Sequence, residues 1–177
     1  MLSVETAKGE NIIDEHFIDD EEKENQDNKY LTFDISYEVY GINIGDITEI
    51  IEIQKITEVP DMPGFVRGII NLRGKVIPVI DLRLRFGMEK RKYDDRTCIV
   101  IVKINNALIG FIVDRVLEVI DIPDSDIDSP PQFKSNLNHE KYVIGIGKVG
   151  GEVKILLDVG KIIHQEEFLK INDNINI

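Results

Sequence analysis

The chain has 177 residues, 42% of them hydrophobic, and its 33 acidic and 21 basic residues give a formal net charge of -12. This charge argues against general binding to nucleic acid or to anionic membranes, because both need clustered positive charge. The apolar content excludes a wholly disordered chain. No apolar stretch approaches the roughly 20 residues that span a bilayer, and the N-terminus has no signal core, so we expect a cytoplasmic protein without membrane insertion.

The N-terminal segment differs from the remainder in charge. Residues 1–29 contain ten acids and three lysines, a net charge of -7. The polar block 19–28 cannot bury enough surface to offset the entropy of ordering it, so we predict a disordered acidic tail over 1–29. Two interpretations remain open: the tail only keeps the chain solvated, or it is an interaction arm with a short apolar docking motif (Ile12, Ile13, Phe17 and Ile18).

An internal repeat follows the tail. Residues 30–53 align with 99–122 at an offset of 69, and residues 68–82 align with 145–159 at an offset of 77. The eight extra residues of the second copy fall in and after the Pro/Asp/Ser-rich stretch 123–131, which predicts a loop. We therefore expect one folded domain over 30–170, with a first repeat at about 30–86 and a second at about 99–163, followed by a C-terminal tail over 171–177.

Each repeat consists of short Ile/Val-rich runs separated by turn signals. The turn signals are Ser36-Tyr37, Arg73-Gly74, Asn105-Asn106 and Gly150-Gly151. Such a pattern is typical of strands joined by hairpins. It predicts an all-β fold of two small five-stranded barrels, SH3- or OB-like and duplicated, because closure removes exposed sheet edges. Short helices are predicted as single turns at 46–50 and 114–118, and as a terminal helix over 159–170.

The sequence contains no strong signal for a catalytic site. The three histidines have no partner at triad or ligand spacing, so we expect no catalytic residue, no metal site and no cofactor. Residues 145–150 fit the pattern G-x-G-x-x-G, but a strand pattern follows at 152–157, which favours hairpin glycines over a dinucleotide site. Asp81 and Asp158 end equivalent strands, which favours turn or cap chemistry over a general acid and base. Cys98, in an apolar run, is interpreted as a buried thiol.

Basic residues are concentrated in one copy. The second block of the first repeat contains Arg67, Arg73, Lys75, Arg83 and Arg85, whereas its counterpart has mainly lysines at other positions. Arg73, at a hairpin turn, can display its guanidinium to a partner's carboxylate or form a local salt bridge to Glu49, and the two interpretations are compatible. Pro78 cannot donate a ladder hydrogen bond, so its strand is expected to be an edge or bulged strand where a partner could dock.

Several of these motifs together resemble one family. Y-G-I-N-I at 40–44, I-T-E-I at 47–50, the run at 66–83 that contains N-L-R-G, and F-I-V-D-R-V at 111–116 closely resemble the chemotaxis coupling proteins of the CheW family. The resemblance covers about residues 30–163. It implies that the two barrels are intertwined and that the protein is a non-enzymatic scaffold. Its implied partners are the cytoplasmic tips of methyl-accepting chemoreceptors and the regulatory domain of the histidine kinase CheA, in membrane-associated arrays. We expect a monomer when free.

The resemblance also implies a binding site. Arg73 matches the arginine of the family's N-L-R-G motif and Glu49 the glutamate after Y-G-I, both associated with receptor or kinase coupling. The groove between the barrels, which holds the receptor tip, matches Ile47, Val116 and Val119. Packing in the hydrophobic core, rather than contact with a partner, is an equally supported role for these three residues. Gly68 matches a small residue whose loss should disturb the same surface.

Two other functional classes are weaker. Small five-stranded barrels often bind oligonucleotides or other anionic ligands, but the acidic charge and the few aromatic residues disfavour that function here. An enzyme is the least favoured class, because no nucleophile, acid–base pair or metal cluster stands out.

Overall fold

The structure is a computed structural model that describes residues 27–130 and 141–175. Most of the predicted acidic tail, residues 1–26, lies outside the described residues, and β1 already begins at Lys29. The strands are β1 (Lys29–Ile35), β2 (Glu38–Asn43), β3 (Ile47–Glu52), β4 (Val66–Leu72), β5 (Lys75–Asp81), β6 (Cys98–Ile104), β7 (Ala107–Val113), β8 (Arg115–Asp121), β9 (Ile127–Asp128), β10 (Val143–Val149) and β11 (Glu152–Leu157). The helices are α1 (Leu82–Arg85), α2 (Val159–Ile162) and α3 (Gln165–Ile175), and short 3-10 turns lie at Ile44–Asp46 and Asp124–Asp126.

The strands pair into two sheets that exchange hairpins. Sheet I has the order β8-β1-β2-β11-β10-β9, and sheet II has the order β3-β6-β7-β5-β4. The β1–β2 hairpin of the first repeat therefore lies in sheet I among second-repeat strands, and the β6–β7 hairpin of the second repeat lies in sheet II among first-repeat strands. In both sheets a parallel pair, β2 with β11 and β7 with β5, joins the hairpin to the remaining strands. The prediction of an all-β fold with two duplicated, intertwined units is confirmed.

The two β units are not closed barrels, contrary to the sequence prediction. In sheet II the edge strands β3 and β4 share no ladder, and only an isolated bridge between Thr57 and Ile69 connects the segment after β3 to β4. The connecting segment contains Pro60 and Pro63, which have no N–H to donate to a ladder. Backbone pairing therefore leaves sheet II open between β3 and β4.

The main hydrophobic core lies between the two sheets. It combines buried side chains of sheet I, such as Phe33 and Tyr40, with Val100 and Phe111 of sheet II and with Ile162 of α2. A smaller cluster fills the interior of sheet II, and another, around Ile122 and Leu156, fills that of sheet I. Because most buried residues belong to the shared cluster, neither unit could keep its core without the other.

The helical predictions were partly wrong. Residues 47–52 and 115–121 are strands, and the helical structure beside them is limited to the 3-10 turns Ile44–Asp46 and Asp124–Asp126. A single turn has too little local stability to compete with pairing to β6 and β1. The terminal helix is present as α2 and α3, and α3 continues past residue 170 to Ile175, with Ile171 buried in the main core.

Pro78 lies on an interior strand, so the edge alternative of the prediction was wrong, whereas the ladder between β4 and β5 does contain a register shift, between Val66 and Gly68. β5 pairs with β4 on one side and with β7 on the other, but the β7 register begins only at Val79. Ile69, opposite Pro78, directs its N–H and C=O to Thr57, so the Ile69–Pro78 pair is not hydrogen-bonded. The missing N–H of Pro78 therefore faces the side on which β5 has no ladder partner at this position.

Candidate functional site

Arg73 and Glu49 form a bidentate ion pair on the surface of sheet II. The two guanidinium nitrogens of Arg73 lie 2.8 and 2.9 Å from the two carboxylate oxygens of Glu49. Arg73 occupies the β4–β5 turn with a φ of 52°, and Glu49 lies on edge strand β3. The hydrogen bonds lower the pKa of Glu49 and raise the pKa of Arg73. The predicted local salt bridge is confirmed, and it connects the two edges of sheet II.

The same pair remains accessible to a partner. The Arg73 side chain is 74% exposed. A guanidinium has five N–H donors, and the pair uses two of its nitrogens on one side, so further donors are available to an incoming acceptor.

The second repeat has no equivalent of this pair. The repeat offsets place Glu118 at the position of Glu49 and Gly150 at the position of Arg73. Glycine provides no cation, so the ion pair belongs to one unit only. The two β units share an architecture but display different chemistry at corresponding turns.

The three apolar site residues lie on the edge strands. Ile47 of β3 and Val116 of β8 occupy equivalent repeat positions, and both are partly buried against the main core. Val119 of β8 is 53% exposed, and its neighbour Leu117 is exposed as well. Core filling therefore describes part of the role of Ile47 and Val116, whereas Val119 is directed to the surface.

Both edge strands are irregular at equivalent positions. The register of β3 against β6 shifts between Ile47 and Glu49, and that of β8 against β1 shifts opposite Thr32. The Thr32 hydroxyl fills the irregularity, since it donates to the Glu118 carbonyl at 2.8 Å and accepts from the Glu118 N–H at 3.2 Å. Bulged edges resist extension by a further strand, so these strands favour recognition through side chains, as when a helix lies in a groove.

Gly68 lies beneath the surface rather than on it. It has a φ of 142°, and a β-carbon there would lie 2.1 Å from the Thr57 carbonyl oxygen. Glycine therefore allows the Thr57 backbone to approach β4 and form the bridge to Ile69. Gly68 thereby holds the segment that joins β3 to β4.

Other sequence predictions have clear outcomes. The carboxylates of Asp81 and Asp158 accept hydrogen bonds from the N–H groups of Arg83 and Gly160, both at 2.9 Å, so the predicted caps are confirmed. Residues 145–150 belong to the β10–β11 hairpin, as predicted. Cys98 is half-buried rather than buried, and burial raises the pKa of its thiol.

The sequence did not predict several ion pairs, two of which involve the arginines of α1. Arg83 Nε lies 2.9 Å from Asp114, and Arg85 binds Glu167 of α3 through two hydrogen bonds of 3.0 and 2.9 Å. Arg85 also lies over the rings of Phe65 and Tyr142. The partners come from distant parts of the chain, so the concentration of arginines in one repeat was the only available signal.

Neither a metal site nor a membrane span was found in the described part of the chain. Within residues 27–130 and 141–175, no group of three or more His, Cys, Asp or Glu side chains is placed to hold a metal ion. No helix within the same ranges is long and apolar enough to cross a bilayer.

These features define a class of protein: a duplicated β scaffold whose surface carries an exposed ion pair and bulged apolar edge strands. Residues 29–167 match the family model of the CheW-like domain, so the chain belongs to the CheW-like family. Members of this family are non-enzymatic chemotaxis adaptors that couple chemoreceptors to the histidine kinase CheA. The family gives no support to oligonucleotide binding.

Individual relatives agree with this assignment. The chain is 38% identical over 138 residues to the chemotaxis protein CheW of Helicobacter pylori, which covers 78% of this chain and 82% of the relative. It is 32% identical over 145 residues to CheW of Klebsiella aerogenes, covering 82% and 87%. The crystal structure of the scaffolding protein TtCheW from Thermoanaerobacter tengcongensis superposes with a TM-score of 0.73 at 38% identity, covering 79% of this chain and 94% of that one.

Proposed function

We propose that this adaptor binds the cytoplasmic tip of a methyl-accepting chemoreceptor and the regulatory domain of CheA through separate faces. The observation that carries this proposal is the Arg73–Glu49 pair, which is exposed and has no counterpart in the other unit. Two equivalent units with different surface chemistry suit a scaffold that must hold two different proteins. Membership of the CheW-like family supports the same function.

The receptor-binding groove is proposed to involve Ile47, Val116 and Val119. An amphipathic helix needs an apolar strip with exposed anchors, and Val119 provides such an anchor on a bulged edge. Ile47 and Val116 lie partly buried at equivalent positions, so they would form the floor of the strip. Gly68 supports this surface indirectly through the Thr57 segment.

The decisive experiment is a titration of Arg73→Ala against a receptor tip fragment and against the CheA regulatory domain. Because Arg73 is exposed, the fold should persist, and loss of a charged hydrogen bond should weaken one of the two complexes by about tenfold or more. Lys148→Ala is the matched control, since Lys148 forms an exposed ion pair with Asp128 near the equivalent hairpin. Unchanged affinity for both partners would remove Arg73 from the interface.

A second substitution tests the groove independently. Val119→Asp places a charge on an exposed position, so it should leave folding intact and weaken only the receptor complex. Lys103→Ala, on an exposed position of β6, is the control. Equal receptor affinity for Val119→Asp and the parent chain would contradict the proposed groove.

Two further proposals concern the state of the protein in the cell. We propose that it is a cytoplasmic monomer when free and is recruited to membrane-associated receptor arrays by its partners. Analytical ultracentrifugation of the free chain should give one species of 20.2 kDa. A fluorescent fusion should form clusters at the membrane in cells with receptors and be diffuse in cells without them, and clusters that persist without receptors would contradict recruitment. The N-terminal boundary of the folded domain is proposed at Lys29, where β1 begins.

A further inference from the structure

A charged pocket lies where parts of both repeats meet, and its lining includes neither Arg73 nor Glu49. Its volume is about 260 Å³, and it is bordered by the β1–β2 turn, by α1, by the loop before β6 and by the β7–β8 corner. We call it the arginine pocket, because four arginines and only two aspartates line it: Arg83, Arg91, Arg96, Arg115, Asp34 and Asp114. In a chain of net charge -12, its lining carries an excess of two positive charges.

The base of the arginine pocket is rigidly built. Arg83 Nε lies 2.9 Å from Asp114, and Arg115 Nε lies 3.0 Å from Asp34. Asp114 also accepts a hydrogen bond of 2.9 Å from the backbone N–H of Ser36. These bonds hold Arg83 and Arg115 in fixed orientations before any ligand arrives, which lowers the entropy lost on binding.

The rim of the pocket has spare donors. Within residues 27–130 and 141–175, the guanidinium of Arg96 has no hydrogen-bond or ion-pair partner, and the side chain is exposed. Arg91 contacts Asp94 and Asp114 only at 3.3 Å, and its side chain is about half exposed. Both arginines can therefore reorient toward an incoming anion at little loss of existing contacts.

Tyr37 provides an independent sign that the pocket binds something. It is 100% exposed and has a φ of 71° in the β1–β2 turn, a backbone conformation that is unfavourable for tyrosine. The equivalent turn of the second repeat has Asn105 and Asn106, which tolerate this conformation. Tyr37 thus has an unfavourable backbone conformation, and no burial of its side chain offsets the cost. This is expected of a residue whose contacts form only with a ligand.

The second unit shows that the fold does not require these charges. The repeat offsets place Gly45, Asp46, Lys103 and Gly160 at the positions of Asp114, Arg115, Asp34 and Arg83. The Arg83–Asp114 pair therefore has no equivalent there, and Lys103 and Asp46 reverse the charges of Asp34 and Arg115, although the strands pair in the same order. The arginine pocket is a feature of one face of the molecule rather than a consequence of the architecture.

We propose that the arginine pocket binds the side-chain carboxylates of an acidic peptide segment. Arginine forks bind carboxylates in bidentate fashion, and an exposed tyrosine can cover the aliphatic part of a Glu or Asp side chain. The peptide has two possible sources, this chain's own acidic stretch at 19–24 or an acidic loop of another protein. The proposal does not depend on the receptor and kinase contacts proposed above.

The test uses a labelled synthetic peptide with the sequence of residues 18–25, Ile-Asp-Asp-Glu-Glu-Lys-Glu-Asn, and the full chain. Fluorescence anisotropy would be measured at low ionic strength and at about 0.15 M, where screening weakens exposed charge contacts. Arg96→Ala should weaken binding by about tenfold. Tyr37→Asn should also weaken it while preserving the turn, since asparagine suits the backbone conformation. Lys103→Ala, an exposed cation outside the pocket, is the control.

A second full-length variant distinguishes the sources of the peptide. Asp19, Asp20, Glu21, Glu22 and Glu24 are replaced together by their amides. If the peptide binds this variant more tightly than it binds the parent chain, the chain's own segment competes for the pocket. If it binds both proteins equally, the natural peptide comes from another protein. Both results support the arginine pocket as a peptide-binding site. Failure of the peptide to bind either protein, equal binding of an all-amide peptide, or inorganic phosphate binding where the peptide does not, would each overturn the proposal.

Discussion

Replacement of Gly68 by alanine is the sharpest test of how sheet II is held together. The added β-carbon would lie 2.1 Å from the Thr57 carbonyl oxygen and 2.8 Å from its carbonyl carbon, both backbone atoms that a rotamer change cannot move. The Thr57 segment must therefore shift away from β4. Its two hydrogen bonds with Ile69, of 2.9 and 2.8 Å, would be lost or lengthened.

The size of the effect follows from two contributions. The φ of 142° is adopted almost only by glycine, and forcing another residue into such a region costs about 1 to 3 kcal/mol. Each of the two hydrogen bonds contributes about 0.5 to 1.5 kcal/mol. We expect Gly68→Ala to lower the free energy of unfolding by about 2 to 6 kcal/mol, a large part of the total stability of an ordinary domain.

Two other glycines provide matched controls in urea denaturation followed by circular dichroism. Gly74→Ala keeps the unfavourable φ of 82° but has nothing within 4 Å of the new β-carbon, so it should cost about 1 to 2 kcal/mol. Gly64→Ala has neither a positive φ nor a close neighbour and should be nearly neutral. If Gly68→Ala were no more destabilising than Gly74→Ala, the close approach of Thr57 to β4 would be refuted.

Three further predictions concern ionisable groups. Burial alone would raise the pKa of Asp114, but hydrogen bonds from Arg83 and Ser36 lower this pKa in the folded protein. The carboxylate of Asp114 therefore stabilises the fold above its unfolded pKa, and this stabilisation is lost as the pH falls through its lower folded pKa. Thermal unfolding between about pH 5 and 2 should show this loss, and Asp114→Asn should flatten it. Glu167→Gln should cost about 1 to 3 kcal/mol and increase hydrogen exchange in α3, because the buried Arg85 loses its counter-ion; protection equal to the parent would contradict this role. Burial raises the pKa of Cys98, so iodoacetamide should alkylate it more slowly than a free thiol at pH 8, and an equal rate would show an accessible thiolate.

Local signals predicted much of the molecule. The hairpin turn at Asn105-Asn106 was recognisable because asparagine tolerates a positive φ, and Ser36-Tyr37 occupies the equivalent position of the first repeat. The caps at Asp81 and Asp158 followed from carboxylates at strand ends. The Arg73–Glu49 pair was predicted as one of two compatible roles, and the structure confirms the local one.

Long-range pairing accounts for the errors and omissions. The local sequences of β3 and β8 predicted helical turns. These predictions were wrong because the hydrogen-bond partners of the two strands, β6 and β1, lie far away in the sequence. Arg83 and Asp114 are separated by 31 positions and Arg115 and Asp34 by 81, so no local pattern connects them. The arginine pocket could therefore not be predicted from the sequence, because it forms only where parts of both repeats meet in the tertiary structure.

The amino-acid sequence by itself determined the strand content, the duplication and the family, because alternation of side chains, turn chemistry and repeated spacing are properties of short segments. Only the tertiary structure decided which strands pair in each sheet, that Pro78 lies on an interior strand, and that Arg83 meets Asp114. The physical reason is that strand pairing depends on how apolar faces are buried and how backbone hydrogen bonds are satisfied across the whole chain. Both depend on residues that are distant in the sequence.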